Sequence, residues 1–434
     1  MRMKFNKSSQ LLLVSAASLL AAALLSACGT LTVDFVFVTS AKAAGSNSYG
    51  QVDVLEVNSE SGTMRQIPTS PFPSGGRNPV AEAVSADSTN LYVVNQDDNT
   101  IVQFIIGNDG KLYPQNTTNT PGIFPLAVAV NGTNLFVADT YQPLPSCSTA
   151  APCSGSIAVF PISSSSTVPP SDTLGAPLAN GSLNYWPLSL PGSPNDVIEP
   201  TAIDIPASGK YLYVTAYDSA KGASYIFGFS ISSSALTALN GGAPLGVAGA
   251  PFATGTCPTA YLNAPYIVGT CPSAIASDPT GTYVYVTDSA NGRVLGYSVA
   301  SATGLLTPLA GSPFAAGNQP IAIVADPAYP FVYVANSIDS SVSAYSMSSG
   351  ELTRIGTYAT GLQPIAIGVD PSTNHFLYTA NYLGSTVSGT VSGFELSPTA
   401  GTLVNSQNSP YTANAQPTAV AAISHNSANA GTQK

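Results

Sequence analysis

Tyr283-Val284-Tyr285-Val286-Thr287-Asp288, then Ser289-Ala290-Asn291-Gly292, then Arg293-Val294-Leu295-Gly296-Tyr297-Ser298-Val299: this stretch reads as two strands and the tight turn between them. β-Branched and aromatic residues dominate both runs, and Asn-Gly favours the positive φ angles that a two-residue hairpin needs. The first run recurs as Phe331–Asn336, Phe376–Asn381, Tyr211–Thr215, Leu91–Asn95, Leu135–Asp139 and Phe35–Thr39. Aligned on the central aromatic, the seven copies lie at residues 37, 92, 136, 213, 285, 333 and 378. The spacings of 55, 44, 77, 72, 48 and 45 residues describe a unit of 44–48 that carries insertions. Self-similarity at that period, with several strands per unit, predicts the blades of a propeller.

Each unit has a second fixed feature. A short apolar strand precedes the aromatic one and is entered through proline, at Pro79, Pro125, Pro200, Pro272, Pro320, Pro364 and Pro417. The residue two positions after the proline is alanine in all seven copies, as the crowded centre of a radial array requires. We therefore read this as the inner strand, followed by the aromatic "anchor" strand, a third strand and a weak outer strand. The chain enters on an anchor strand and leaves on an inner one. The expectation is an all-β, seven-bladed β-propeller of four-stranded antiparallel blades over residues 35–426, closed when the C-terminal strand joins the first blade. Closure removes the open edges that invite aggregation. Residues 427–434 read as a disordered tail.

The phase also sorts the loops. Turns from anchor to third strand and crossings between blades share one face; the remaining turns share the other. The long insertions 40–50, 140–155, 163–199 and 241–271 are assigned to the first face, which becomes the loop-rich one. Long loops without structure of their own usually serve a function.

With 12 basic and 22 acidic residues among 434, only 8% of the chain is charged, about a third of the usual share. A net charge of −10 excludes nucleic-acid binding, which needs clustered cations. Arg2, Lys4 and Lys7 precede the apolar run 11–25, and Leu25-Ser26-Ala27-Cys28-Gly29 resembles a bacterial lipobox. That motif implies a signal peptide over residues 1–27, acylation of Cys28, a short tether over 28–34, and attachment to the cell envelope, with Gly29 favouring the outer membrane. The membrane is thus the first expected partner. The other four cysteines suit an oxidising compartment, and local pairing of Cys147 with Cys153 and of Cys257 with Cys271 closes the shortest loops.

The repeated Tyr-Val-Thr/Ala-Asn/Asp strands and the Pro-x-Ala-Ile…Asp-Pro-x-Gly-x-Tyr-Val-Tyr-Val pattern resemble the YVTN-type and lactonase-family seven-bladed propellers, which include bacterial 6-phosphogluconolactonase. The resemblance spans residues 33–425 and implies the fold; the matched residues build strands and turns rather than chemistry. Enzymes of that family are expected to gather His, Glu and Arg at the channel mouth, commonly with a His after the inner-strand proline. Here those positions are Val80, Leu126, Thr201, Ser273, Ile321, Ile365 and Thr418. The two histidines, His375 and His425, follow inner strands and belong to the plain face. A phosphosugar lactone is therefore not the expected substrate.

Residues preceding the inner-strand prolines should ring the channel mouth: Asn78, Phe124, Glu199, Cys271, Gln319, Gln363 and Gln416. Asn78, Gln319, Gln363 and Gln416 are candidate ligand-binding residues for a neutral, hydroxyl-rich molecule. Two carboxylates break the repeat. Glu82 stands where other copies carry Val or Ile, and Asp204, a further ligand-binding candidate, where they carry Ala, Val or Gly. For a hydrolase, Glu82 or Glu199 is the candidate base and Arg77 the electrostatic partner. No cofactor fingerprint or metal-binding motif occurs in the sequence. The expected function is a binding or interaction module of the envelope, working through the loop-rich face on a neutral small molecule, glycan or envelope protein. The alternative is a lactonase-like hydrolase that opens a neutral lactone with carboxylate-activated water.

Overall fold

The computed structural model describes residues 32–41, 49–58, 61–145, 147, 151–163, 172–218, 221–233, 235–245, 272–371, 376–384 and 388–424. Seven antiparallel sheets form seven blades, all in the expected inner–anchor–third–outer order. Blade 6 is typical: Pro320–Ala325, Phe331–Asn336, Ser341–Ser348 and Glu351–Ala359 pair consecutively. Its anchor strand is buried at every residue, while Glu351–Ala359 is largely exposed or half-buried. Both faces of an anchor strand are covered by neighbouring blades, which explains why these strands are apolar throughout instead of alternating.

Blade 1 closes the ring. Its inner strand is Gln416–Ser424, paired with the anchor strand Thr32–Ala41, with Phe37 opposite Ala421 and Val38 opposite Val420. The third strand Gln51–Asn58 completes the one-plus-three arrangement. Each inner strand packs against the inner strands of two neighbouring blades, so the seven surround one central channel.

Successive blades are held together by a repeated contact. The anchor tyrosine donates its hydroxyl hydrogen to a carbonyl in the third-to-outer turn of the next blade: Tyr213 to Gly304 at 2.7 Å, Tyr285 to Gly350 at 2.8 Å and Tyr333 to Gly401 at 3.1 Å. Two residues earlier in the strand, another ring covers the same turn. A Cβ built on Gly350, which has φ +86°, would meet the Tyr283 ring at 2.6 Å; on Gly401 it would meet Phe331 at 2.5 Å. Glycine is required at both places for its backbone angle and for this approach.

One loop assignment needs correction. Insertion 163–199 does not lie wholly on the loop-rich face. Ser156–Ser163 pairs with Thr173–Leu174 as a hairpin, so that connection leaves from the plain face. Only the later part returns, through Trp186–Pro187 paired with Ser156 and Ile157, to the loop-rich end.

Gly350→Ala should lower stability by about 2 kcal/mol, from left-handed strain plus displacement of Tyr283. Tyr333→Phe, which removes only the bond to Gly401, should cost about 1 kcal/mol. Urea midpoints at constant m-value measure both, and equal effects of the two variants would contradict this account.

Candidate functional site

The mouth of the channel on the loop-rich face is formed where the inner strands begin. Asn78, Phe124, Gln319 and Gln363 precede inner-strand prolines and adopt φ angles of +52°, +56°, +56° and +56°. A residue before proline disfavours the α regions, and a non-glycine side chain at positive φ carries strain. Glycine would be less strained at all four places, yet the chain keeps three carboxamides and a phenyl ring there.

Just past six of the seven inner-strand prolines, Pro272 being the exception, the register shifts by a bulge. The shift falls between Pro79 and Ala81, Pro200 and Ala202, Pro320 and Ala322, and Pro364 and Ala366. Bulges re-aim side chains, and the residue re-aimed is the one where the resembling family is expected to place its His. The hydroxyls found there are consumed within the fold. Thr201 bonds Thr215 at 2.8 Å; Ser273 donates to the Pro320 carbonyl at 2.7 Å; Thr418 donates to the Pro79 carbonyl at 2.8 Å.

The mouth residues differ in their partners. Asn78 donates from its amide to Gln96 Oε1 at 3.1 Å and Asp97 Oδ1 at 3.0 Å. Arg77 binds Asp98, donating from its backbone N at 2.7 Å and from Nε at 2.6 Å. That carboxylate holds the exposed guanidinium at a pKa above its usual value. Gln363 and Gln416 are half-buried. Gln319 is only 3% exposed, and neither its Oε1 nor its Nε2 has a hydrogen-bonding partner.

Glu199 lies at the mouth between blades 3 and 4. Burial, and then the charge of Asp218, push its carboxyl pKa above the ordinary range. The Glu199 charge in turn raises the Tyr141 hydroxyl, after burial, and Tyr141 stacks edge-on with Phe124 at 6.2 Å. Glu82 sits deeper, in the seam of the closed ring. Thr39 Oγ1 of the anchor strand donates to its Oε2, and the backbone at Ala421 of the C-terminal strand also bonds it. Burial outweighs these bonds and pushes its pKa up to about 8. Glu82 and Arg77 are thus engaged with different partners. Asp204 ends the strand Ile198–Asp204 toward the plain face, away from the mouth. It bonds Ser277 of the next blade, and burial raises its pKa to about 6.

The sequence reading passed over Asp139, which occupies the Asn/Asp position closing an anchor strand. It is fully buried, accepts the Gly122 N–H at 3.2 Å, and has its pKa raised to about 8 by burial. The corresponding Asn336 accepts the Gly317 N–H at 3.0 Å, so the repeated Asn/Asp pins the crossing loop. Cys147 and Cys153 form a disulfide in the loop after Tyr141. Cys28, Cys257, Cys271, His375 and His425 lie outside the described residues.

The family model for Lactonase, 7-bladed beta-propeller matches residues 46–143 and 311–419. Over those residues the chain is similar to that family, and its architecture is that of a seven-bladed β-propeller. Among solved structures, one from Bacteroides fragilis, provisionally named a 6-phosphogluconolactonase, is similar at TM-score 0.65 and 20% identity, covering 90% of this chain and 98% of that one. The periplasmic gluconolactonase of Pseudomonas aeruginosa is similar at TM-score 0.63 and 18% identity, covering 90% and 98%. A protein of Lactobacillus plantarum follows at TM-score 0.61 and 17% identity, covering 89% and 98%. No curated protein matches the sequence. At these identities the likeness is one of fold.

The buried acid at the seam has a pH signature. Folded Glu82 keeps a proton that the unfolded chain releases near its ordinary pKa of 4.5. Below that value both states are protonated and the group contributes nothing. As pH rises toward about 8 the native state binds the extra proton, so stability falls. Glu82→Gln should therefore gain on the wild type by up to about 1.4 kcal/mol per pH unit between pH 5 and 7. Urea melts at pH 5, 6 and 7 measure it; a difference that stays constant with pH contradicts an acid held neutral.

Proposed function

We propose that the protein binds a neutral, hydroxyl-rich ligand at the channel mouth on its loop-rich face, as a lipid-anchored module of the bacterial envelope. The observation that carries the binding reading is the set of four strained, non-glycine residues at the entries to the inner strands. Strain held in place by a rigid scaffold concentrates at functional sites. The side chains kept there include three carboxamides, which offer donors and acceptors to hydroxyls without selecting a charge. A phosphorylated sugar would need cations, and the nearby Arg77 is already bound to Asp98.

The cell-envelope placement is supported by the lipobox, by the Cys147–Cys153 bridge and by the periplasmic name of the Pseudomonas protein of similar fold. It also sets an orientation. The anchor strand of blade 1 begins at Thr32 on the plain face, four residues after Cys28. Four residues of extended chain reach at most about 14 Å. An acylated Cys28 therefore holds the plain face against the bilayer, and the mouth opens away from it. Radiolabelled palmitate should be incorporated by the wild type and not by Cys28→Ser; label retained in the variant would remove the anchor.

A second reading, hydrolysis, is favoured by Glu199. A carboxylate with a raised pKa at the mouth is a stronger base for taking a proton from water, whose hydroxide would add to a lactone carbonyl and break the acyl C–O bond. A panel of neutral lactones decides between the readings. Binding without turnover, weakened at least 5-fold by Gln363→Leu or Gln416→Leu, supports the binding module. Turnover that disappears in folded Glu199→Gln protein supports the hydrolase.

A further inference from the structure

We infer that Gln319 and Ser337 form a vacant polar seat between blades 5 and 6 that takes adjacent hydroxyls of a neutral sugar or cyclitol. This rests on the mouth being the binding site, and it names which sector makes the contact.

The repeat supplies its own control. In blades 2, 3 and 6 the residue before the inner-strand proline lies beside a residue just past the end of the anchor-strand consensus. In blade 2 these are Asn78 and Gln96. The Gln96 N–H bonds the Asn78 carbonyl at 2.9 Å, and the two side-chain amides bond each other at 3.1 Å. In blade 3 they are Phe124 and Thr140, and the Thr140 hydroxyl donates to the Phe124 carbonyl at 2.6 Å. In blade 6 they are Gln319 and Ser337. The backbone bond is retained, from Ser337 N–H to the Gln319 carbonyl at 2.9 Å. The side chains are not satisfied: Gln319 Oε1, Gln319 Nε2 and Ser337 Oγ are all buried with no partner. The two residues are only 3% and 2% exposed.

An unsatisfied buried amide or hydroxyl is costly, and a leucine in the same space would not be. In blade 2 only Asn78 Oδ1 is left without a partner and in blade 3 the hydroxyl is bonded, whereas blade 6 leaves all three side-chain atoms open, which points to a partner that arrives from outside. One donor and one acceptor on the carboxamide, plus a hydroxyl that does both, match neighbouring hydroxyls. Two acids of blades 5 and 6 are held by bonds within the fold. Asp339 accepts from the Asn318 amide at 2.7 Å, and Asp288 accepts from Arg293 Nε at 2.8 Å. The acid beside the seat, Asp339, would repel an anionic group there.

The test uses D-glucose, myo-inositol and D-glucose 6-phosphate with the full propeller, by saturation-transfer NMR and calorimetry. Wild type should bind the two neutral probes and not the phosphate ester. Gln319→Leu and Ser337→Ala should each weaken binding about 10-fold. Thr140→Val, whose hydroxyl is consumed inside blade 3, should leave binding unchanged. Without ligand, Gln319→Leu should melt at a higher temperature than wild type, because it removes the unsatisfied amide. Unchanged binding in both seat variants, with binding lost in Gln363→Leu or Gln416→Leu, overturns the seat and leaves the mouth reading standing. Failure of wild type to bind any probe overturns both. Equal binding of the phosphate ester overturns the neutral-ligand assignment.

Discussion

An aromatic ring laid on a glycine turn of the neighbouring blade is the contact on which this molecule depends. A single blade cannot bury both faces of its anchor strand. The next blade must come close enough to cover it, and its turn glycine permits that approach. Once Tyr285 reaches the Gly350 carbonyl and Tyr283 covers the same turn, the separation and angle between blades are set. The same ring-on-glycine approach recurs at Phe35–Gly110, Tyr211–Gly304, Phe331–Gly401 and Phe376–Gly62, and the ring of blades so spaced places the inner-strand entries at one rim. The chemistry at the rim is thus positioned by contacts made at the opposite end of the strands.

The polar groups of the interior divide by what surrounds them. Asn336 is satisfied by the crossing loop that it holds. Glu82 and Asp139 are carboxyls that burial keeps protonated through neutral pH, so they act as hydrogen-bonding groups and not as charges. These two acids therefore place no charge in the core at neutral pH. Gln319 differs from all of these, since it is neither paired nor ionisable, and it lies at the rim.

Much of this was legible in the sequence, for identifiable reasons. The inner-strand alanine and the anchor aromatics repeat because packing near the axis allows few alternatives, so the blade phase and the C-terminal closure could be read directly. Glu82 was visible as an acid in a column of Val and Ile, although its contact with the seam was not. The positive φ angles were hidden, because Gln and Phe carry no signal for a conformation that glycine normally marks. The path of 163–199 was misjudged because Thr173–Leu174 and Trp186–Pro187 are too short to announce themselves. The isolation of Gln319 could not be read either, since it depends on Ser337 having a short side chain where blade 2 has a glutamine.

The pairing of Thr32–Ala41 with Gln416–Ser424 makes the first sheet the last to be finished. Its innermost strand follows the other described strands in the chain, so Thr32–Ala41 keeps an edge uncovered until Gln416–Ser424 has been made. A chain lacking Gln416–Ser424 would leave an open fan rather than close into a smaller ring.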